Sequence, residues 1–323
     1  MLENGSIYNT DCLVSVVILT YNQKEYLLES IDSVLKQNYS PIQIVISDDG
    51  SNNFDKDNIE KYINNNCKSN IVKLTIISRT HNVGTVKNFN GALRQCEGEY
   101  IVPLASDDAF YDENTISKIV NKFKNTDCDV LSCSRMMCNK DLQPLRLVPH
   151  PAYHIRLKKF YNASLQYHAM ARGETLEFAS GSALYYKRSY MVKQGLYDER
   201  YLLWEDGPFL ARTTRNGTKI EMGYEITSIL YRKGGISSSK ISPTSKIYND
   251  YRNFNKYEFL DYPDKFSSAE KFIIKLKQIL IEKNDKKTNS NVLLYSLALA
   301  YSFLLKLEKG GLQLLYKIRR NSI

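Results

Sequence analysis

Histidine, tryptophan and paired cysteine are scarce in this 323-residue chain, which holds 4 histidines, 1 tryptophan and 6 cysteines. His81, His150, His154 and His168 stand at no metal-ligand spacing, which argues against a zinc site. Cys12, Cys67, Cys96, Cys128, Cys133 and Cys138 include no Cys-x-x-Cys pair, and the 128/133/138 spacing fits no common zinc pattern. Free, mostly buried thiols in a reducing compartment are expected. The polar stretch Met1 to Asp11 lacks the apolar centre of a secretory signal. The longest apolar-leaning run, Val292 to Leu305, falls short of the roughly 20 residues of a spanning helix. A cytoplasmic chain without a transmembrane helix is the expectation. No internal repeat is present.

What is there is a chain with enough apolar residues, 43%, to bury a sizeable core. Its length suits one domain of about 250 residues plus an appendage. Charge is unevenly placed. Lys and Arg number 44 against 35 Asp and Glu, a net of +9, yet residues 265–323 hold 12 against 4, a net of +8. The basic character therefore belongs to the C-terminal segment. That pattern favours an anionic surface as its partner over a nucleic-acid-binding core.

The first third alternates strand-like and helix-like stretches. Leu13 to Leu19 is a continuous apolar run of strand length, as a buried parallel strand should be. Lys24 to Lys36 carries Leu27, Leu28, Ile31, Val34 and Leu35 at helical spacing. Ile42 to Ile46 and Val72 to Ile77 are further strands, Thr85 to Cys96 a helix, and Tyr100 to Leu104 a fourth strand. This β-α-β order predicts a parallel sheet with helices on its faces. Downstream, helices are expected over 113–124, 189–194 and 207–216, and strands over 130–134, 183–186 and 226–231. Arg232-Lys233-Gly234-Gly235 and the serines after it form a Gly/Ser-rich loop. Residues 139–178 resist assignment. From about 268 the chain changes: Ala269 to Lys283 is a basic amphipathic helix, Asn284 to Asn291 a polar breaker, Val292 to Glu308 apolar, and Gly310-Gly311 a second break.

Three carboxylate clusters stand beside these elements. Asp107-Asp108 closes the fourth strand, Asp48-Asp49 the second, and Glu205-Asp206 precedes a helix. In parallel sheets a ligand lies beyond the C-terminal strand ends, so Thr20-Tyr21-Asn22, Asp48-Asp49 and Asp107-Asp108 should converge on one crevice. Adjacent carboxylates are costly unless a cation or hydrogen-bond donors share them. A hard divalent ion shared with phosphate oxygens is one solution, and an N-cap is the structural alternative. Asp48-Asp49-Gly50-Ser51 alone also reads as a β-turn with an Asx cap. Asp206 can cap a helix and still act as a general base.

The motifs Val14 to Asn22, Ile46-Ser47-Asp48-Asp49-Gly50-Ser51, Asn82-x-Gly84 with Asn90-Gly91-Ala92, Gly98-Glu99-Tyr100-Ile101, Ser106-Asp107-Asp108 and Trp204-Glu205-Asp206 occur in order, with Arg212 and Gly217 downstream. Together they resemble glycosyltransferase family 2 over roughly residues 13–240. The resemblance implies an α/β GT-A fold, a Rossmann-like, mostly parallel sheet flanked by helices. It also implies inverting transfer of a sugar from a nucleotide donor, with UDP favoured, to a saccharide hydroxyl. The catalytic domain would span 1–265, with a nucleotide-binding half over about 13–110 and an acceptor half over about 111–240. Residues 266–323 would be a basic helical appendage.

By the same resemblance, Thr20 and Tyr21 line the base and ribose pocket, Asp49 reads uracil, and Asn82 and Asn90 contact the nucleotide. Asp108 holds Mn2+ or Mg2+, with Asp107 toward the ribose or a metal-bound water. Asp206 is the base, and Glu205 orients the acceptor or donor sugar. Ser180-Gly181-Ser182 approaches the donor sugar or is a plain turn. Tyr185, Tyr186 and Tyr197 stack on sugar or fill the core.

Two departures from the family pattern bear on the site. Ala105 stands where many relatives carry a further aspartate, leaving two carboxylates for a metal. Phe89 stands where many carry arginine before Asn90, so Lys87 or Arg79 would have to supply a cation. Arg232 and Lys233 either close on the diphosphate or belong to a solvated basic loop.

The expected partners are a UDP-sugar and a saccharide acceptor on a lipid diphosphate, in surface polysaccharide synthesis such as O-antigen or capsule. For residues 266–323 two readings stand. The helices pack on the catalytic domain or on a second copy in a homodimer, or they hold the enzyme as a peripheral protein on an anionic membrane surface. Two other functions compete. A sugar nucleotidyltransferase would need a glycine-rich loop after the first strand, where Thr20-Tyr21-Asn22-Gln23-Lys24 has no glycine. A non-catalytic nucleotide-sugar binding protein would not need the carboxylates.

Overall fold

A computed structural model describes residues 12–174, 178–234, 245–282 and 292–321. The first third alternates strands and helices: β1 (Val14–Thr20), α1 (Lys24–Leu35), β2 (Ile42–Asp48), α2 (Lys56–Asn66), β3 (Ile71–Ser78), α3 (Thr85–Leu93) and β4 (Tyr100–Ala105). Then come β5 (Ala109–Phe110), α4 (Thr115–Thr126), β6 (Val130–Cys138), β7 (Pro144–Val148), α5 (His154–Leu157) and α6 (Ala163–Arg172). β8 (Leu184–Lys187), α7 (Arg188–Lys193), α8 (Asp206–Arg215) and β9 (Ile220–Arg232) follow. The C-terminal part is helical: α9 (Tyr248–Asn255), α10 (Ser268–Glu282) and α11 (Val292–Asn321).

The strands form one sheet in the order β3-β2-β1-β4-β8-β6-β9-β5, with β7 paired to β6. β3, β2, β1 and β4 run parallel. β8 is antiparallel to both β4 and β6, whereas β6 and β9 are parallel. β1 shows why the sheet is a central layer. Val14, Val16 and Ile18 join the buried cluster under α1, α2 and α4, while Val17 joins the opposite one under α3 and α6. Period-two alternation thus feeds two cores, so the run is apolar throughout. Register sets the site: Thr20 lies opposite Asp48 and Leu19 opposite Ala105, so the turns after β1, β2 and β4 open at one level.

Several differences from the sequence expectation have physical causes. α2 escapes the pattern because it buries only Ile59 and Ile63; it is fixed by Asp55 capping the Asn58 amide at 3.0 Å and by Tyr62 bonding Asp32 at 2.8 Å. On α1, Leu28 faces solvent rather than the core. Cys96, Cys128, Cys133 and Cys138 are buried, whereas Cys12 and Cys67 are partly exposed.

α11 runs straight through Gly310-Gly311, which had read as a break. Two mid-helix glycines cost about 2 kcal/mol relative to alanine. Anchors on both sides offset this: Glu308 pairs with Arg156 at 3.0 Å, and Gln313 bonds the Tyr153 hydroxyl at 2.7 Å. The polar breaker over 284–291 and the serines after Gly235 lie outside the described residues. Among the described residues no helix is long and apolar enough to cross a membrane.

Candidate active site

β4 delivers Asp107 and Asp108 to the turn before β5. Asp108 is 1% exposed. Its Oδ1 accepts the Arg232 backbone N–H at 2.9 Å, and its Oδ2 is buried without a hydrogen-bond partner. Burial first, and the Asp107 charge second, push the Asp108 carboxyl well above the usual range. Burial raises Asp107 as well, against a long 3.5 Å contact from the Gln23 amide to its Oδ2. An orphaned buried carboxylate oxygen beside a second carboxylate is the donor chemistry a hard divalent cation takes. Asp108 and Asp107 therefore fit such an ion. Among the described residues no three His, Cys, Asp or Glu side chains cluster to complete a shell, so the ion's other positions would fall to donor and water oxygens.

Arg232 is not a mobile cation over this pair. It is 6% exposed at the end of β9. Its guanidinium bonds the Asp107 carbonyl at 2.6 Å, the Lys140 carbonyl at 2.8 Å and the Glu29 carboxylate, and lies over the Tyr26 ring at 4.3 Å. Fully engaged, it braces the aspartate turn from beneath. Lys233 is exposed, with its amide on the Cys138 carbonyl at 3.1 Å.

Asp206 opens α8 as its first residue, with Glu205 at the cap position. Its Oδ2 accepts the Gly181 N–H and its Oδ1 the Gly207 N–H, both at 2.7 Å. A Cβ on residue 181 would come within 2.9 Å of Asp206 Oδ2, so glycine there permits the approach. The two N–H donors fix the orientation of the carboxylate. Next to it, burial and then the Asp206 charge push Glu205 up to about 8. Glu205 thus holds its proton more tightly in the fold than a free glutamate does.

At the other end of the crevice, Thr20 is buried and Tyr21 is 46% exposed, a ring available for stacking. Asn22 stitches the two turns: its amide bonds Ser51 Oγ at 2.7 Å and its side chain accepts from the Asn52 amide at 3.0 Å. Asp48 accepts the Gly50 and Ser51 amides, the Asx cap its sequence suggested. Asp49 is 4% exposed and accepts the Val83 and Gly84 amides at 2.9 and 3.0 Å. Its carboxylate holds the loop before α3, leaving only further lone pairs for a ligand.

Asn82 is exposed on that loop. Asn90 departs from the expected ligand role: 1% exposed, it bonds the Tyr197 amide and carbonyl and Glu199 at 2.9–3.0 Å, fastening α3 to the 197–199 loop. Arg79 lies against Asn88 and Gly91, and Lys87 stays exposed. Tyr185, Tyr186 and Tyr197 are core residues. A cavity of about 430 Å³ lined by Thr20, Asn22, Ser51 and Phe54 opens between α1 and α2; it does not reach Asp107, Asp108 or Asp206.

Two further residues belong to the site. Arg135, inside β6, bonds Ser182 Oγ at 2.7 Å, lies over Tyr231 at 4.0 Å and draws the Asp108 carboxyl downward by its charge. It thus bonds the residue next to Gly181, whose N–H meets Asp206, and its charge is felt at Asp108. Asp250, on α9 and 3% exposed, accepts the amides of Leu202, Leu203 and Trp204 at 2.7–3.1 Å. Trp204 stacks on Tyr251 at 4.2 Å and 19°. α9 thus holds the loop that presents Glu205 and Asp206. Neither residue carries a local signal: one is mid-strand, and the other lies 44 residues beyond the carboxylate it positions.

Comparison with known proteins identifies the family. The family model Glycosyl transferase family 2 matches residues 15–192. The chain is 30% identical over 119 residues to the glycosyltransferase GlyG of Streptococcus pneumoniae serotype 4, covering 37% of this chain and 38% of that one. It is 24% identical over 264 residues to WcaA of Escherichia coli K12, named for colanic acid biosynthesis, covering 80% of this chain and 84% of that protein. A crystal structure of Staphylococcus aureus TarS residues 1–349 with UDP-GlcNAc superposes with a TM-score of 0.60 at 21% identity, over 85% of this chain and 74% of that one. That likeness carries the α/β GT-A fold. With more than half its length matched by the family model, this chain belongs to glycosyl transferase family 2.

Proposed function

We propose that this glycosyltransferase moves a sugar from a UDP-sugar to a hydroxyl of a saccharide acceptor, with inversion, in bacterial surface polysaccharide synthesis. One observation carries the reading. Asp108 is buried with an orphaned carboxylate oxygen beside Asp107, which suits a cation, and Asp206 is held by the Gly181 and Gly207 N–H groups, which suits a base. TarS with UDP-GlcNAc supports a UDP-sugar donor, and WcaA supports polysaccharide as the product.

Asp206 takes the proton from the acceptor hydroxyl as that oxygen attacks the anomeric carbon. The bond to the diphosphate oxygen breaks on the opposite face, through an oxocarbenium-like state, and the configuration inverts. Gly181 and Gly207 N–H groups hold Asp206 in the orientation for that transfer. Glu205 orients the sugar or acceptor. Arg135 sets positive charge beside the departing diphosphate. Mn2+ or Mg2+, held by Asp108 with Asp107 in support, would neutralise charge on that leaving group when bound. Thr20 and Tyr21 form the nucleoside end, with Asp49 and Asn82 at its rim. A lipid-diphosphate-linked acceptor suits a basic, apolar C-terminal segment.

The test is turnover of a UDP-sugar panel with manganese and a lipid-linked acceptor. Asp206→Asn should lower kcat by at least ~100-fold with the fold intact. Full activity in both Asp206→Asn and Asp108→Ala would sink the assignment. UDP binding without turnover on any acceptor would point to a non-catalytic protein.

A further inference from the structure

α11 is two-faced. Thirty residues make a rod of about 45 Å. One side is packed against the enzyme: Ala298 is fully buried, the Tyr301 hydroxyl bonds the Arg172 carbonyl at 2.8 Å, and Glu308 pairs with Arg156. The other side carries exposed apolar side chains. Leu297, Phe303, Leu304, Leu307, Leu314 and Leu315 are 42–61% exposed.

At 3.6 residues per turn these side chains, with Leu299, Ala300 and the two glycines, share an arc about 160° wide. Ser296 and Lys317 are polar residues within it. A two-helix seam needs a narrower a/d stripe. The arc's margins carry exposed cations, Lys306 and Lys317 on one side and Arg319 on the other. The one carboxylate of α11, Glu308, is held by Arg156. Residues 265–323 supply +8 of the chain's +9.

We infer that the outward face of α11 lies in the headgroup boundary of an anionic phospholipid surface, leucines and phenylalanine down and flanking cations on the phosphates, while its inner face stays on the enzyme. A broad apolar arc edged by cations is the pattern of an interfacial helix, and the charge selects an anionic leaflet. The inference does not depend on the transfer chemistry.

Flotation of the purified full chain tests it, using phosphatidylcholine vesicles with and without phosphatidylglycerol. The protein should float with the anionic vesicles and remain behind with the zwitterionic ones. Leu304→Glu with Leu307→Glu should cut recovery by at least about tenfold at unchanged helical signal and melting temperature. Equal recovery on both vesicles, or none on either, overturns the inference. So does a dimer in light scattering that the double variant splits while vesicles capture nothing, since the face would then belong to a second copy.

Discussion

Asp108 separates a metal ligand from a structural cap by the sign of one measurement. Its folded pKa is raised, so the charged form is disfavoured when nothing binds it. Asp108→Asn should therefore keep or raise the ligand-free melting temperature at pH 8, yet lose the added stability from UDP with manganese, as read by thermal shift. A fall in the ligand-free value would identify a structural aspartate instead. Glu205 makes a second residue-scale case. Its folded pKa is raised from 4.5 to about 8, so its stabilising share is complete below the lower value and lost as pH climbs through the upper one. Glu205→Gln keeps the neutral shape. Its stability relative to the parent should match at pH 4.5 and lead by about 1–2 kcal/mol at pH 9, allowing for partial exposure. Denaturant melts at the two pH values measure it.

Among the elements, α9 is where function depends on a helix that carries no reacting group. Asp250→Ala removes the acceptor of three part-buried amides at 202–204 and should cost about 1–3 kcal/mol. It should also lower kcat by loosening Asp206, with Asp250→Asn restoring part of both. Melting curves and steady-state rates decide; an unchanged kcat would remove α9 from the positioning role. The same helix marks the limit of reading by sequence. Asp107, Asp108 and Asp206 were legible because each abuts a strand end or helix start, where local pattern and chemistry coincide. Asp250 and Arg135 were not, because their roles exist only through contacts across the fold. Asn90 was legible as a motif residue, but its neighbours turn it into a fastener. Gly310-Gly311 misled for a related reason: propensity argued for a break, and side-chain anchors on both sides overrode it.

Across the whole molecule, the C-terminal helices are not a detachable tail. Ile274 of α10 sits in the same buried cluster as Phe259 and Phe266. Lys277 Nζ bonds the Met170 and Ala171 carbonyls near the end of α6 at 3.0 and 2.8 Å. A chain ending at residue 290 should still melt cooperatively, whereas one ending at 265 should lose cooperativity and aggregate; calorimetry and gel filtration distinguish them. The long-range tie from α9 to the 202–206 loop has one more consequence. Trp204, stacked on Tyr251 beside the candidate base, is the 1 tryptophan among 323 residues. Indole emission excited at the red edge therefore comes from that loop, and an unlabelled sample carries its own optical gauge of what enters the crevice.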